Sequence, residues 1–332
     1  MQASTFSDAE PFAAASPRAA DEQARSAARS PKPAHHSLRK GGTIILHETA
    51  TLSNGVTIPT LGLGTWLIPN DVAGRVVQEA ISIGYRHIDT AQAYGNEEGV
   101  GQGIRETGIS RDRIFVTTKL AAESKTLADA RQRIDASLQA LGMDHIDLML
   151  IHSPQPWAEF RGGDHFFEGN IEAWAALEEA YRAGKVRAIG VSNFERADLD
   201  NIIDNGSVVP MANQVLAHVG NTPFDLIDYA QERGVLVEAY SPVAHGALLD
   251  DPDVDAVATQ YGVSVAQLCI RYCLQLGLVA LPKTSNPAHM RDNAAVDFAI
   301  SEADMAILRH VNGKLDYGEA SRFPVFGKKR IA

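Results

Sequence analysis

Between Leu61 and Lys283, short apolar runs alternate with longer stretches whose apolar residues recur every three or four positions. The runs lack the strict polar alternation of a half-exposed sheet, so the strands they predict are covered on both faces, as in a parallel sheet. Eight such strands are expected, at 61–65, 85–89, 114–119, 146–152, 186–192, 210–215, 235–240 and 278–283. The stretches between them read as helices with glycine stops: Ile134, Leu138 and Leu141 precede Gly142, and Trp174, Leu177 and Tyr181 precede Gly184. Strand-then-helix units need right-handed crossovers, and the natural closed form of eight of them is an α/β fold, the (β/α)8 TIM barrel. A doubly wound open sheet is the competing architecture. Residues 41–60, with Asn54-Gly55 between two β-prone runs, read as an N-terminal β-hairpin laid on the barrel floor.

Length and composition sharpen this picture. A chain of 332 residues, 45% hydrophobic, can bury a large core, and residues 43–332 are enough for a single barrel domain. Residues 1–42 are rich in Ala, Ser, Pro and Arg and poor in large apolar side chains, so they are expected to form a disordered extension. That extension has neither the apolar stretch of a secretory signal nor the acid-free composition of a transit peptide, and its His35-His36 pair is too isolated for a metal site. A net charge of -11 opposes binding to nucleic acid or an anionic membrane, and no apolar run is long enough to span a bilayer. Cys269 and Cys273 lie four apart in a helical pattern and read as core thiols of a reducing compartment, so a cytoplasmic location is expected. A monomer is the expected assembly.

In a parallel barrel the functional side chains gather at the C-terminal strand ends. Here that set is Asp89, Lys119, His152, Ser192, Asn193, Gln214, Tyr240 and Lys283. Asp89, Lys119 and His152 end three consecutive strands and Tyr94 follows the first, a combination suited to proton transfer to an oxygen. A phenol with a pKa near 10 is a poor acid at neutral pH unless a cation favours the phenolate; Lys119 would supply that cation, and Asp89 would hold it. A depression of about two units corresponds to roughly 2.7 kcal/mol. An uncharged His152 would orient a carbonyl beside the phenol. A purely structural account makes Asp89 and Lys119 a buried salt bridge and His152 a core histidine, but three ionisable groups in one barrel mouth are costly to bury without a task. Gly99, Gly101 and Gly103 do not follow a strand, so they are expected to thin one helix face for close packing and not to cradle phosphate. No ligand spacing for a metal is present.

Several motifs in order carry a family likeness: IDTAQAYGNE at 88–97, the strand ending in Lys119, LIH at 150–152, GVSNF at 190–194, NQV at 213–215, AYSP at 239–242 and PKT at 282–284. Over nearly all of residues 44–332 the chain resembles the aldo-keto reductases, in particular bacterial diketogulonate and aldehyde reductases. The resemblance implies a barrel that binds a nicotinamide dinucleotide without a Rossmann fold, and a catalytic tetrad of Asp89, Tyr94, Lys119 and His152. It also implies that Tyr240 stacks on the nicotinamide ring while Ser192, Asn193 and Gln214 bind its carboxamide. Gly64, Thr65 and Trp66 would approach cofactor and substrate, Ser241 and Val243 would continue the cofactor contact, and Lys283, Thr284, His289 and Asn293 would surround the adenosine 2′-phosphate.

Two departures from that pattern bear on specificity. His289 stands where many members carry an Arg that pairs with the 2′-phosphate; Lys283 still favours NADP(H), with NAD(H) as the alternative cofactor. Ser153, Ala121 and Ala122 replace bulkier residues and are expected to open the pocket, with Trp66 and Trp157 as apolar walls and Phe323 to Phe326 closing the mouth. The expected activity is NADP(H)-dependent reduction of a small-molecule carbonyl, whether aldehyde, α-dicarbonyl or keto-sugar acid. The alternative from another class is a cofactor-sensing regulatory subunit built on the same barrel.

Overall fold

The computed structural model describes residues 45–311, 313 and 316–327. The expected disorder of residues 1–42 and the His35-His36 pair lie outside the described residues. Strands β1 (Thr49–Thr51) and β2 (Thr57–Pro59) pair antiparallel, with Ala50 opposite Ile58. Their connection turns at Gly55, whose φ of 88° is a left-handed conformation open to glycine without steric cost.

Eight parallel strands follow: β3 (Leu63–Gly64), β4 (His87–Asp89), β5 (Phe115–Leu120), β6 (Leu148–Ile151), β7 (Ile189–Ser192), β8 (Ala212–Leu216), β9 (Leu236–Tyr240) and β10 (Val279–Leu281). They pair in chain order, and the bridges Leu61 to Ala280 and Gly64 to Lys283 join the last strand to the first. This is the (β/α)8 barrel, and the open sheet is excluded. Every residue of β5 to β8 is buried, which explains the missing polar alternation. Strands β3 and β6 are shorter than their apolar runs because Leu61 and Ile146 make only single bridges, as tilted strands of a closed barrel have staggered ends. Asn54 Nδ2 donates to the carbonyl of Arg187, just ahead of β7, at 2.9 Å, so the hairpin sits at the N-terminal, floor end.

The helices are α1 (Asn70–Ile83), α2 (Glu97–Glu106), α3 (Leu127–Leu141), α4 (Phe167–Arg182), α5 (Arg196–Asn205), α6 (Phe224–Glu232), α7 (Pro252–Tyr261), α8 (Val265–Gln275), α9 (Pro287–Ala294) and α10 (Glu302–Arg309). Helix α3 starts at Thr126, whose side chain accepts from Asp129 N, and stops at Gly142 with φ 61°. In α8, Ser264 and Gln267 form a capping box, and Cys269 and Cys273 are fully buried free thiols pushed above their ordinary pKa by burial. The glycines of α2 thin two faces, not the expected one. A Cβ at Gly99 or Gly103 would collide with the backbone of Asn70 or Gly74 in α1, whereas one at Gly101 would collide with the backbone of Leu141 in α3. Residues two apart on a helix point in nearly opposite directions, so α2 is pressed between both neighbours.

At the floor, Asp147, just ahead of β6, gathers Arg111 Nη2 at 2.6 Å, Arg187 Nη1 at 2.7 Å and the Val116 amide at 2.9 Å. This buried carboxylate ties three strand starts together. The ionisable groups at the opposite end differ in kind.

Candidate active site

Asp89 and Lys119 face each other from β4 and β5 inside the barrel. Lys119 is fully buried, with Nζ 2.7 and 2.9 Å from the two Asp89 carboxylate oxygens and 2.9 Å from the Thr90 carbonyl. Tyr94 Oη is the fourth neighbour, at 3.4 Å. Burial opposes the ammonium, yet Asp89 and Tyr94 hold the Lys119 pKa above its ordinary value. The phenol reaches this position because Gln92–Tyr94 form a single 3-10 turn ended by Gly95 at φ 66°.

The charge balance at Tyr94 differs from the expectation. Burial, the largest cause, and the Asp89 charge together raise the phenol pKa more than the Lys119 charge and hydrogen bond lower it. Tyr94 is therefore held as a neutral phenol. The acidified phenol inferred from the cation alone omitted desolvation, the larger effect here.

His152 lies just past β6, and its ring meets the Tyr94 ring edge-on at 5.6 Å between centroids. Burial, with Lys119 nearby, pushes its pKa well below the ordinary histidine value, so it is neutral. Its Nδ1 is buried with no partner among the described residues. An unpaired buried acceptor is tolerated better than an unpaired N–H donor, which favours the tautomer protonated on Nε2. That nitrogen then offers a hydrogen to a ligand.

Above these groups lies a cavity of about 840 Å³. Asp89, Tyr94 and His152 line its inner end together with Ser192, Asn193, Gln214 and Tyr240. Asn193 holds a left-handed backbone (φ 62°), and its Nδ2 donates to the His152 carbonyl and to Ser192 Oγ, while Tyr240 Oη donates to Asn193 Oδ1 at 2.7 Å. A non-glycine residue in that conformation persists because its side chain is fixed at three points. Ser241, at φ 53°, and Val243 continue the wall, and Lys283, Thr284, His289 and Asn293 form the far end. Gly64 and Trp66 also line the cavity, and the tail residues Phe323 and Phe326 pack on Trp66 at 4.8 and 5.6 Å.

Thr65 does not reach the cavity, contrary to expectation. Thr65 is fully buried and does not line the cavity; its hydroxyl and amide both donate to the Asp89 carbonyl, which fixes the end of β4. Ser153, Ala121 and Ala122 are buried and are not among the residues lining the cavity. Trp157 does line it, edge-on to His152 at 4.9 Å.

Several residues that shape the site escaped the motif reading. Asn96 is fully buried, donates to the Thr65 and Ile68 carbonyls at 2.9 Å and accepts from Thr90 Oγ1, so it ties the segments after β3 and β4 together. Lys125 Nζ bonds the Ser153 carbonyl and Asn170 Oδ1, anchoring the loop that carries Trp157, and burial lowers its pKa to about 7. Glu238 is buried at the barrel centre. The signal for it was a lone acid inside the apolar run of β9.

Residues 60–312 match the family model described as the aldo/keto reductase family. The chain belongs to the aldo/keto reductase family. This oxidoreductase is 40% identical over 262 residues to the glyoxal reductase of Bacillus subtilis, a match covering 78% of this chain and 91% of the relative. Among solved structures, an aldo/keto reductase from Brucella melitensis superposes with a TM-score of 0.75 at 38% identity, covering 80% of this chain and 97% of that one. The Bombyx mori aldo-keto reductase solved in complex with NADP gives 0.74 at 31% identity, covering 84% and 98%. In this aldo/keto reductase, no helix among the described residues is long and apolar enough to cross a membrane, and no group of His, Cys, Asp or Glu among them could hold a metal ion.

Proposed function

We propose that this enzyme reduces aldehydes and ketones with NADP(H), Tyr94 giving the proton to the carbonyl oxygen. The observation that carries the reading is the Lys119 ammonium clamped by Asp89 with the Tyr94 hydroxyl 3.4 Å away at the inner end of the cavity. A reduced nicotinamide, when bound, supplies hydride. The residues fit such a group: the aromatic face of Tyr240 and the amides of Asn193 and Gln214 stand at one end of the cavity, and Lys283 stands at the other. The ring face and the side-chain amides restrict a flat carboxamide-bearing ring to one orientation.

The neutral His152 donates to the carbonyl oxygen and aligns it with the Tyr94 hydroxyl. As negative charge grows on that oxygen, the Tyr94 proton moves to it, and Lys119 stabilises the phenolate left behind. Trp66, Trp157 and Phe323 exclude water from the reacting end. Lys283 supports NADP(H) over NAD(H), and the complex of the Bombyx mori relative with NADP agrees with that preference. The glyoxal reductase relative supports small α-dicarbonyls as one substrate class, beside aldehydes and keto-sugar acids. The test is a panel of these carbonyls followed at the absorbance of the reduced cofactor with each nucleotide. Oxidation of NADPH that depends on added carbonyl is expected; tight nucleotide binding with no turnover on any carbonyl would defeat the reading.

A further inference from the structure

At the inner end of the cavity the barrel encloses three ionisable side chains and one amide, of which Asp89 and Gln214 reach the cavity wall. Asp89, Lys119 and Glu238 are at most 4% exposed and Gln214 is 2% exposed. Gln214 and Glu238 are paired neighbours on β8 and β9. The Gln214 amide nitrogen donates one hydrogen to Asp89 Oδ2 at 2.8 Å and the other to Glu238 Oε2 at 3.1 Å. Carboxylates only accept, so the nitrogen must face them.

The charges in this layer do not balance if both acids are ionised. Among the described residues Lys119 is the only cation in this layer, and its hydrogens go to Asp89, the Thr90 carbonyl and Tyr94; none reaches Glu238. Glu238 has one donor, Gln214, and its Oε1 is buried with no partner among the described residues. A fully buried carboxylate with a single neutral donor and a second anion beside it is strongly disfavoured.

We propose that Glu238 is a positioning residue of the reductase site: the proton-bearing member of a carboxyl pair clipped by the Gln214 amide, which leaves Asp89 as the charged member that holds Lys119. The inference rests on the nicotinamide reading of the cavity. Burial first and Asp89 second raise the Glu238 pKa to about 7, against smaller lowering by Gln214 and Lys119. The groups facing Glu238 are therefore Asp89 from β4, Lys119 from β5 and Gln214 from β8.

One consequence separates this role from simple packing. An ionised Glu238 adds a negative charge behind Gln214 and so favours the positively charged oxidised nicotinamide over the neutral reduced one. As pH rises through neutrality the affinity for NADP+ should gain on that for NADPH, by about tenfold for a charge at this range. Titration of the 2′-phosphate acts on both nucleotides alike and cancels in their ratio.

The experiment measures both dissociation constants by tryptophan fluorescence from acid to alkaline pH, for the native enzyme and for Glu238→Gln. Infrared spectra record the carbonyl stretch of a protonated carboxylic acid in each. The expected result is a ratio that changes with pH in the native enzyme and is flat in Glu238→Gln, with a protonated-acid band present below neutrality only in the former. A sloping ratio that survives in the variant, or a native spectrum without the band, would overturn the proposal. If neither nucleotide binds, the functional reading fails, and the infrared comparison still decides the protonation of Glu238. Should Glu238→Gln not fold, Glu238→Leu takes its place in both measurements.

Discussion

The Lys119 ammonium nitrogen stands 3.4 Å from the Tyr94 hydroxyl and 5.0 Å from the centre of the Tyr94 ring. Since the hydroxyl is the longest of its contacts, the ammonium is held by Asp89 and Thr90 whether or not the phenol keeps its proton. Removing only the hydroxyl, in Tyr94→Phe, should preserve that frame and the cavity. Nucleotide affinity is expected to change less than about threefold, while turnover on any active carbonyl falls by a factor of about 10² to 10⁴, the usual worth of a general acid. Fluorescence titration and steady-state rates measured on the same preparation check this, and a variant of undiminished turnover would remove Tyr94 from the proton step.

The direction of the Tyr94 shift sets the pH dependence of reduction. Burial raises its pKa, so the donor form is complete at neutral pH and is lost only as pH rises through the raised value. His152, lowered well below its ordinary value, stays neutral through the same range. Reduction is expected to hold level from about pH 6 up to the ordinary phenol range near 10 and to fall above it. The readout is kcat against pH with saturating reduced nucleotide, and a loss centred near pH 7 that persists in Glu238→Gln would assign the proton to another group.

The apolar runs and glycine stops were sufficient for the barrel, because buried parallel strands are read from apolar continuity and helices from periodicity. The site was legible wherever a polar residue ended such a run, as at Asp89, Lys119 and Gln214. Thr65 was misplaced because adjacency in sequence does not say which way a loop side chain turns once its strand has ended. The direction of the Tyr94 pKa shift was misjudged for a related reason: a cation nearby is visible in the order of strands, but desolvation is a property of the closed barrel. Glu238 lay within a run already spent on a strand, where a single acid gives no sign of its partner on β8.

The floor should matter for stability and not for chemistry. Asp147 is buried, with Arg111 and Arg187 on its two oxygens. Asp147→Ala would leave two guanidinium groups and the Val116 amide without their shared partner, at a cost of about 1 to 3 kcal/mol because both arginines reach solvent. Thermal or urea unfolding should show that loss, while KM and kcat measured well below the transition stay near native. A similar test of packing is Gly101→Ala, which must push α2 away from the Leu141 backbone and should cost about 1 to 3 kcal/mol.

Cofactor choice depends on the far end of the cavity, where His289 lies on the exposed face of α9 beside Asp292 and Asn293. An imidazole nitrogen gives a 2′-phosphate one hydrogen bond, whereas the planar guanidinium fork gives two charge-assisted ones, a difference of about 1.5 to 3 kcal/mol. His289→Arg is therefore expected to raise the preference for NADPH over NADH by roughly ten- to a hundredfold. Because the added contact is an ion pair at an exposed position, the gain should shrink as salt is raised. Both dissociation constants, measured at low and high ionic strength, give the preference directly. An unchanged ratio at low salt would mean that Asp292 captures the new arginine or that Lys283 and Thr284 already hold the phosphate, and adding Asp292→Asn to the variant separates these, since only in the first case does the preference then rise.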